Sequence, residues 1–126
     1  MPSSRSILGN EGEALAASFL ERSGYRILQR NFRTPLGEID LVAREGDCLC
    51  FVEVKTRQSL KAGSPAESVH FAKRRKLVKL AYWYMKARGL ADVRARFDVV
   101  GLTREEGGGL RFSLLKNAFD LNDAGY

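Results

Sequence analysis

The chain has 126 residues, which suits one packed domain and leaves no room for several. With 44% hydrophobic residues it is not a disordered tail, and no apolar run approaches the roughly 20 residues a membrane helix needs. Twenty-one Lys and Arg against fifteen Asp and Glu leave a net charge of +6, which favours anionic partners, nucleic acid first.

Residues 1–8 lack the apolar core of a signal peptide and read as a loose arm, so a cytoplasmic location is expected. Asn10-Glu11-Gly12-Glu13 has the form of a helix start, with Glu13 as the reciprocal cap. The helix should run to about Ser23 with Leu15, Phe19 and Leu20 inward, and Gly24 should stop it. Tyr25 to Asn31 reads as a strand with Tyr25 and Ile27 on one face, and Thr34-Pro35-Leu36-Gly37 as a turn. Arg26, Arg30 and Arg33 suit either phosphate contact or a solvated edge.

Gly37 to Arg57 is the densest chemistry in the chain. It reads as two antiparallel strands around a four-residue turn, Arg44-Glu45-Gly46-Asp47. On the second strand Cys48, Cys50, Val52 and Val54 share an apolar face, while Leu49, Phe51, Glu53 and Lys55 share the other. On the first, Ile39, Leu41 and Ala43 oppose Glu38, Asp40 and Val42. That turn length sets Glu38 opposite Glu53 and Asp40 opposite Phe51, with Asp40 diagonal to Glu53. Carboxylates this close repel, and a divalent ion such as Mg²⁺ would relieve them and activate a water. Lys55 lies one strand period from Glu53, where an ammonium can assist that water. The pattern alone leaves two readings, a functional site or a patch of structural ion pairs.

Cys48 and Cys50, two apart on one strand face, are placed as small buried thiols rather than a disulfide or a zinc site. Residues 58–63 read as a loop beside the site, with Arg57 continuing the Glu53 and Lys55 face as a phosphate clamp. Ser64-Pro65-Ala66-Glu67 starts a long helix that should reach Arg88 and stop at Gly89. Val69, Ala72, Lys76, Leu77, Leu80, Ala81 and Tyr84 form its inner stripe. No acid occurs between Glu67 and Asp92, so Lys73, Arg74, Lys76 and their basic neighbours are candidate phosphate contacts. Tyr82, Trp83 and Tyr84 are expected at the core and its boundary rather than as base-stacking platforms, and His70 carries no assigned chemistry. Arg96 to Leu102 is a strand in which Arg96 and Asp98 form an ion pair. A glycine-rich turn at 105–109, a strand from Leu110 to Lys116 and a loose tail over 118–126 complete the chain.

The order helix, strand, hairpin, long helix, two strands predicts an α/β protein with a mixed sheet. Asp40 followed by Glu53-Val54-Lys55 resembles the D…(D/E)xK signature of the restriction-endonuclease-like superfamily. Together with Asn31-Phe32-Arg33, Gly37-Glu38-Ile39-Asp40-Leu41-Val42, Phe51-Val52-Glu53-Val54-Lys55-Thr56-Arg57, Lys73 and Arg96-Phe97-Asp98-Val99-Val100, it resembles the uncharacterised bacterial YraN family. That family is similar to archaeal Holliday-junction resolvases. The resemblance implies one restriction-endonuclease-like domain over 1–126, a mixed central sheet flanked by helices. It implies Mg²⁺ or Mn²⁺ on Asp40 and Glu53, with Glu13 and Glu38 as further ligands, and Lys55 as the catalytic lysine. Glu13 matches by position the first-helix glutamate of the resolvases, and Lys73 matches a family lysine. The activity implied is phosphodiester hydrolysis in DNA, branched or structured, by a homodimer. The alternatives are a nucleic-acid-binding module of the same fold without turnover, and a protein-interaction adaptor using the basic helix.

Overall fold

The computed structural model describes residues 4–57 and 71–119. Helix α1 spans Ser4–Arg22 and is followed by strands β1 (Arg26–Thr34), β2 (Gly37–Glu45) and β3 (Cys48–Arg57). Helix α2 (Phe71–Ala87) then leads to β4 (Ala95–Arg104) and β5 (Leu110–Phe119). The five strands form one sheet in the order β1-β2-β3-β4-β5. All neighbours are antiparallel except β3 and β4, which run parallel because α2 lies between them in the chain. The sheet is therefore mixed, as the element order predicts, and the architecture is the α/β arrangement implied by the resemblance.

Each face of the sheet carries one helix. Ala16, Ala17 and Leu20 of α1 pack with Leu41, Ala43, Cys48, Cys50, Val52, Val100 and Leu102. Leu77, Val78, Leu80, Ala81, Tyr84 and Met85 of α2 pack with Ile39, Val42, Leu49, Phe51, Phe97, Val99 and Phe119. The two faces of β3 divide between these cores as its alternation predicts. Phe51 is fully buried, its ring 5.7 Å from Tyr84 and 5.5 Å from Phe97. Burying such a side chain contributes about 1.5–3 kcal/mol. Both helices close on a glycine as expected: Tyr25 N–H donates to Leu20 O past Gly24, and Leu90 N–H to Met85 O past Gly89.

Several local expectations change. The first helix begins at Ser4 rather than Asn10, so residues 4–8 are helical and Glu13 sits in mid-helix with no cap to make. Leu15 is exposed, and alanines fill the contact where α1 meets the sheet. The β2–β3 loop has two residues instead of four, with Glu45 paired to Cys48. Gly46 supplies the left-handed φ of +60° that such a loop needs at its first position. This moves the register by two, so Val42, and not Asp40, faces Phe51. β2 also departs from strict alternation, since Ile39 joins Val42 on the α2 side. Ala118 and Phe119 extend β5, so the loose tail does not begin at 118. The predicted loop at 58–63, the helix start at Ser64, Val69 and His70 lie outside the described residues, as do 120–126.

Candidate active site

The site forms where β2 and β3 part. Their ladder runs from Glu45 and Cys48 to Leu41 and Val52. One residue further, the Asp40 side chain takes the place of a ladder carbonyl, and Val54 N–H donates to its Oδ2 at 2.8 Å. That bond fixes the carboxylate against the strand carrying Glu53 and Lys55. Glu38 precedes it on β2, and its carboxylate pairs with Arg33 at 2.9 Å.

Glu13 arrives from α1. The ligand oxygens of Glu13, Glu38 and Asp40 all lie within 4.8 Å of one another. Asn31 supports this corner. Its backbone takes a φ of +54°, which asparagine tolerates, and its side-chain amide pulls the Glu13 pKa down. Three hard oxygen donors suit Mg²⁺, Mn²⁺ or Ca²⁺ and not a thiolate-seeking metal. The residues present thus fit a divalent cation.

Beside the three acids, Glu53 is almost completely buried. Lys73 Nζ donates to its Oε1, and Lys55 Nζ lies 3.2 Å from the same oxygen. One carboxylate on β3 therefore gathers an ammonium from its own strand and another from α2. Glu38, Asp40, Glu53, Lys73, Lys76, Leu77 and Leu80 line a cleft of about 510 Å³.

The titration behaviour follows from this crowding. Burial first, then the charge of Glu53, pushes Asp40 up to about 7 against the pull of the Val54 N–H. Burial and the Glu38 charge also raise Glu13, opposed by Asn31. Burial lowers Lys55, and its neighbour Lys73 adds to the effect. Lys73 feels the same burial, but its hydrogen bond to Glu53 outweighs it and its pKa rises.

Asp40, Glu53, Lys73, Glu38 and Lys76 thus meet in one cleft, with Lys55 on Glu53 and Glu13 against Asp40. The remaining candidates have other neighbours. Arg33 is held by Glu38, and Arg74 places its guanidinium 5.1 Å from the Phe119 ring centre. Arg57 is half-buried at the end of β3, with Nε buried and unpartnered among the described residues. Asn31 was absent from the candidate residues. Its signal was an asparagine at a strand position, where a residue tolerant of left-handed backbone marks an irregularity.

A second polar group, centred on Asp98, is structural. Asp98 is fully buried on β4 and opposes a bulge in β5. Arg96 Nε and Asn117 N–H donate to its Oδ1 at 3.0 and 2.9 Å, and Tyr25 Oη donates to its Oδ2 at 2.7 Å. Arg96 also reaches Glu45 at 2.6 Å. The expected Arg96–Asp98 ion pair is present.

The sequence profile described as "Uncharacterised protein family UPF0102" matches residues 12–102. A UPF0102 protein of Desulfosudis oleivorans is 45% identical over 122 residues, covering 97% of each chain. One of Moorella thermoacetica is 54% identical over 100 residues, covering 78% of this chain and 83% of the relative. Among solved structures, the chain is similar to Pyrococcus furiosus SfsA in complex with Ca²⁺. That match has a TM-score of 0.44 and 18% identity over 89% of this chain and 63% of that one.

Proposed function

The chain belongs to the UPF0102 family, and from that premise we propose that its cleft is the active site of a divalent-metal-dependent nuclease. One observation carries the reading. Three carboxylates within 4.8 Å of one another adjoin a buried glutamate that gathers two lysines, all on a chain of net charge +6. Acids alone would repel a phosphodiester, and lysines alone would only bind it.

Asp40, Glu13 and Glu38 would hold Mg²⁺ or Mn²⁺, while Glu53, expected beside Asp40 as a ligand, is engaged by two lysines instead. Such an ion supplies a bound water of lowered pKa and neutralises charge gathering at phosphorus. Glu53 keeps Lys55 and Lys73 beside the acids. Lys55 orients the attacking water by donating a hydrogen bond to its oxygen, and Lys73 offers a positive charge to a non-bridging phosphate oxygen. The water oxygen bonds to phosphorus and gives up its proton to solvent as the P–O bond to the leaving nucleotide breaks, and the leaving oxygen takes up a proton, giving a phosphate monoester and a free hydroxyl. Lys76 and Arg57 are suited to flanking phosphates. DNA is the favoured substrate, in branched or structured form. A four-way junction presents two equivalent scissile strands, so such a substrate goes with a homodimer.

The test is cleavage of labelled duplex, single-strand, flap and junction DNA, and of RNA, with Mg²⁺ or Mn²⁺. Asp40→Ala and Lys55→Ala proteins run beside the native one. Metal-dependent cleavage lost in both variants supports the reading. Salt-sensitive binding with no cleavage in any protein overturns it in favour of a binding module.

A further inference from the structure

The outer face of α2 holds an arrangement that the cleft does not use. Arg75, Lys79, Tyr82, Trp83 and Lys86 recur at helical spacing, and all are exposed. Tyr82 is 50% and Trp83 47% exposed, so only Tyr84 of the aromatic triplet belongs to the core. Among the described residues none of Arg75, Lys76, Lys79 and Lys86 pairs with a carboxylate. At the start of the stripe, Arg75, Lys76 and Lys79 join Leu36, itself 54% exposed, around a second cleft of about 270 Å³. Lys76 lines both this cleft and the acidic one.

Cations interleaved with exposed aromatic and apolar surface call for a ligand that is anionic along one line and flat and apolar beside it. We propose that this face of α2 is a track for an unpaired nucleic-acid strand, with phosphates on Arg75, Lys76, Lys79 and Lys86 and a base stacked on Trp83. A paired duplex hides the faces of its bases and would leave the aromatics without a role. A second copy of the chain is a poor occupant, because a two-fold contact would set these cations against themselves. An anionic membrane would need a broad apolar face turned outward, and α2 has committed that face to the sheet. The inference deepens the nuclease reading by naming the form of nucleic acid that enters the cleft beside Lys76.

Trp83 is the only tryptophan, so its fluorescence reports on this face alone. Asp40→Asn protein in EDTA, which removes cleavage from the readout, is titrated with a short oligothymidylate. An abasic oligomer of equal length and a blunt duplex are compared. Oligothymidylate quenches Trp83 strongly and the abasic strand does not. Trp83→Leu weakens oligothymidylate binding by about 5- to 150-fold, the range expected for one lost base–aromatic stack, and leaves abasic binding unchanged. Trp83→Phe keeps a ring and recovers most of the loss. Lys79→Gln with Lys86→Gln lowers the slope of log affinity against log salt by about 1.4 for both strands. Equal binding of abasic and ordinary strands, tighter binding of the duplex, or a larger response to phosphatidylglycerol vesicles overturns the track. None of these outcomes bears on cleavage, so the nuclease reading stands or falls separately.

Discussion

Asp40 does two opposed things. Its Oδ2 completes the backbone hydrogen bonding of Val54, and its charge is held in a buried, acid-rich corner. Its pKa in the folded protein, about 7, lies above its ordinary 3.8. The stability this group contributes is therefore full below the ordinary value and is lost as pH rises to about 7. Asp40→Asn keeps an acceptor for Val54 and removes the charge. In EDTA it should melt several degrees above the native chain at pH 8, with the difference closing toward pH 5, and a Tm difference that does not vary with pH would refute this. Because the ligands must be deprotonated, Mn²⁺ affinity of the native protein should climb between pH 5.5 and 7.5 by calorimetry, with proton release. The two cysteines are simpler. Burial, then the charge of Asp98, pushes Cys50 up to about 12. Neither Cys48 nor Cys50 should react with a disulfide reagent until denaturant opens the core, and rapid labelling of the folded chain would contradict this. At this scale the sequence was informative wherever a residue's chemistry is conspicuous: Asp40, Glu53 and Lys55 stood out as charges interrupting an apolar segment. It said little of Asn31, whose role depends on one backbone angle.

The contact of α1 with β3 fixes Glu13. A Cβ on Gly12 would meet Thr56 Oγ1 at 2.7 Å, so the helix can lie this low on the strand only with glycine there. Gly12→Ala should lift α1, cost about 1–3 kcal/mol and weaken metal binding by displacing Glu13. Thr56→Ala clears the space, leaving 3.9 Å to Cβ, and in that background Gly12→Ala should be neutral or stabilising, since alanine is the better helix former. Denaturant melts of the four proteins measure the coupling. Asp98 acts likewise between elements, joining β4 to the β5 bulge and to Tyr25. Asp98→Ala would leave Arg96 Nε, the Asn117 N–H and the Tyr25 hydroxyl without their acceptor and should cost about 3–5 kcal/mol in the same melts. Element types and faces were legible because β3 alternates cleanly and both helices end at glycine. Register was not. Gly46 fits a two- or a four-residue loop equally well in sequence, and the hydrogen bonds that decide between them are invisible there.

At the scale of the whole molecule, one face stands apart in charge from the mixed ion pairs of the rest. The acids meet at the opening of β2 and β3, while α2 carries cations outward without an intervening acid. Binding of nucleic acid in EDTA should therefore fall steeply as salt rises, and affinity independent of salt would argue against phosphate contact. Mixed sheet order was readable from the sequence of elements, because a long helix between strands permits a parallel crossover. The outward turn of Tyr82 and Trp83 was not, because aromatics on a helix most often mark the core and only the position of the sheet decides which side is which. Among the described residues no helix is long and apolar enough to cross a membrane.

The single parallel pairing, β3 with β4, also sets an order of assembly. β1, β2 and β3 follow one another through short turns and can pair while the chain is still growing. β4 must wait for α2 to be made and swung across. During that interval β3, the most apolar strand, is an open sheet edge whose backbone N–H and C=O groups on the β4 side have no partner. A chain halted after α2 should therefore self-associate, and closing that edge with β4 should be the slow step of refolding.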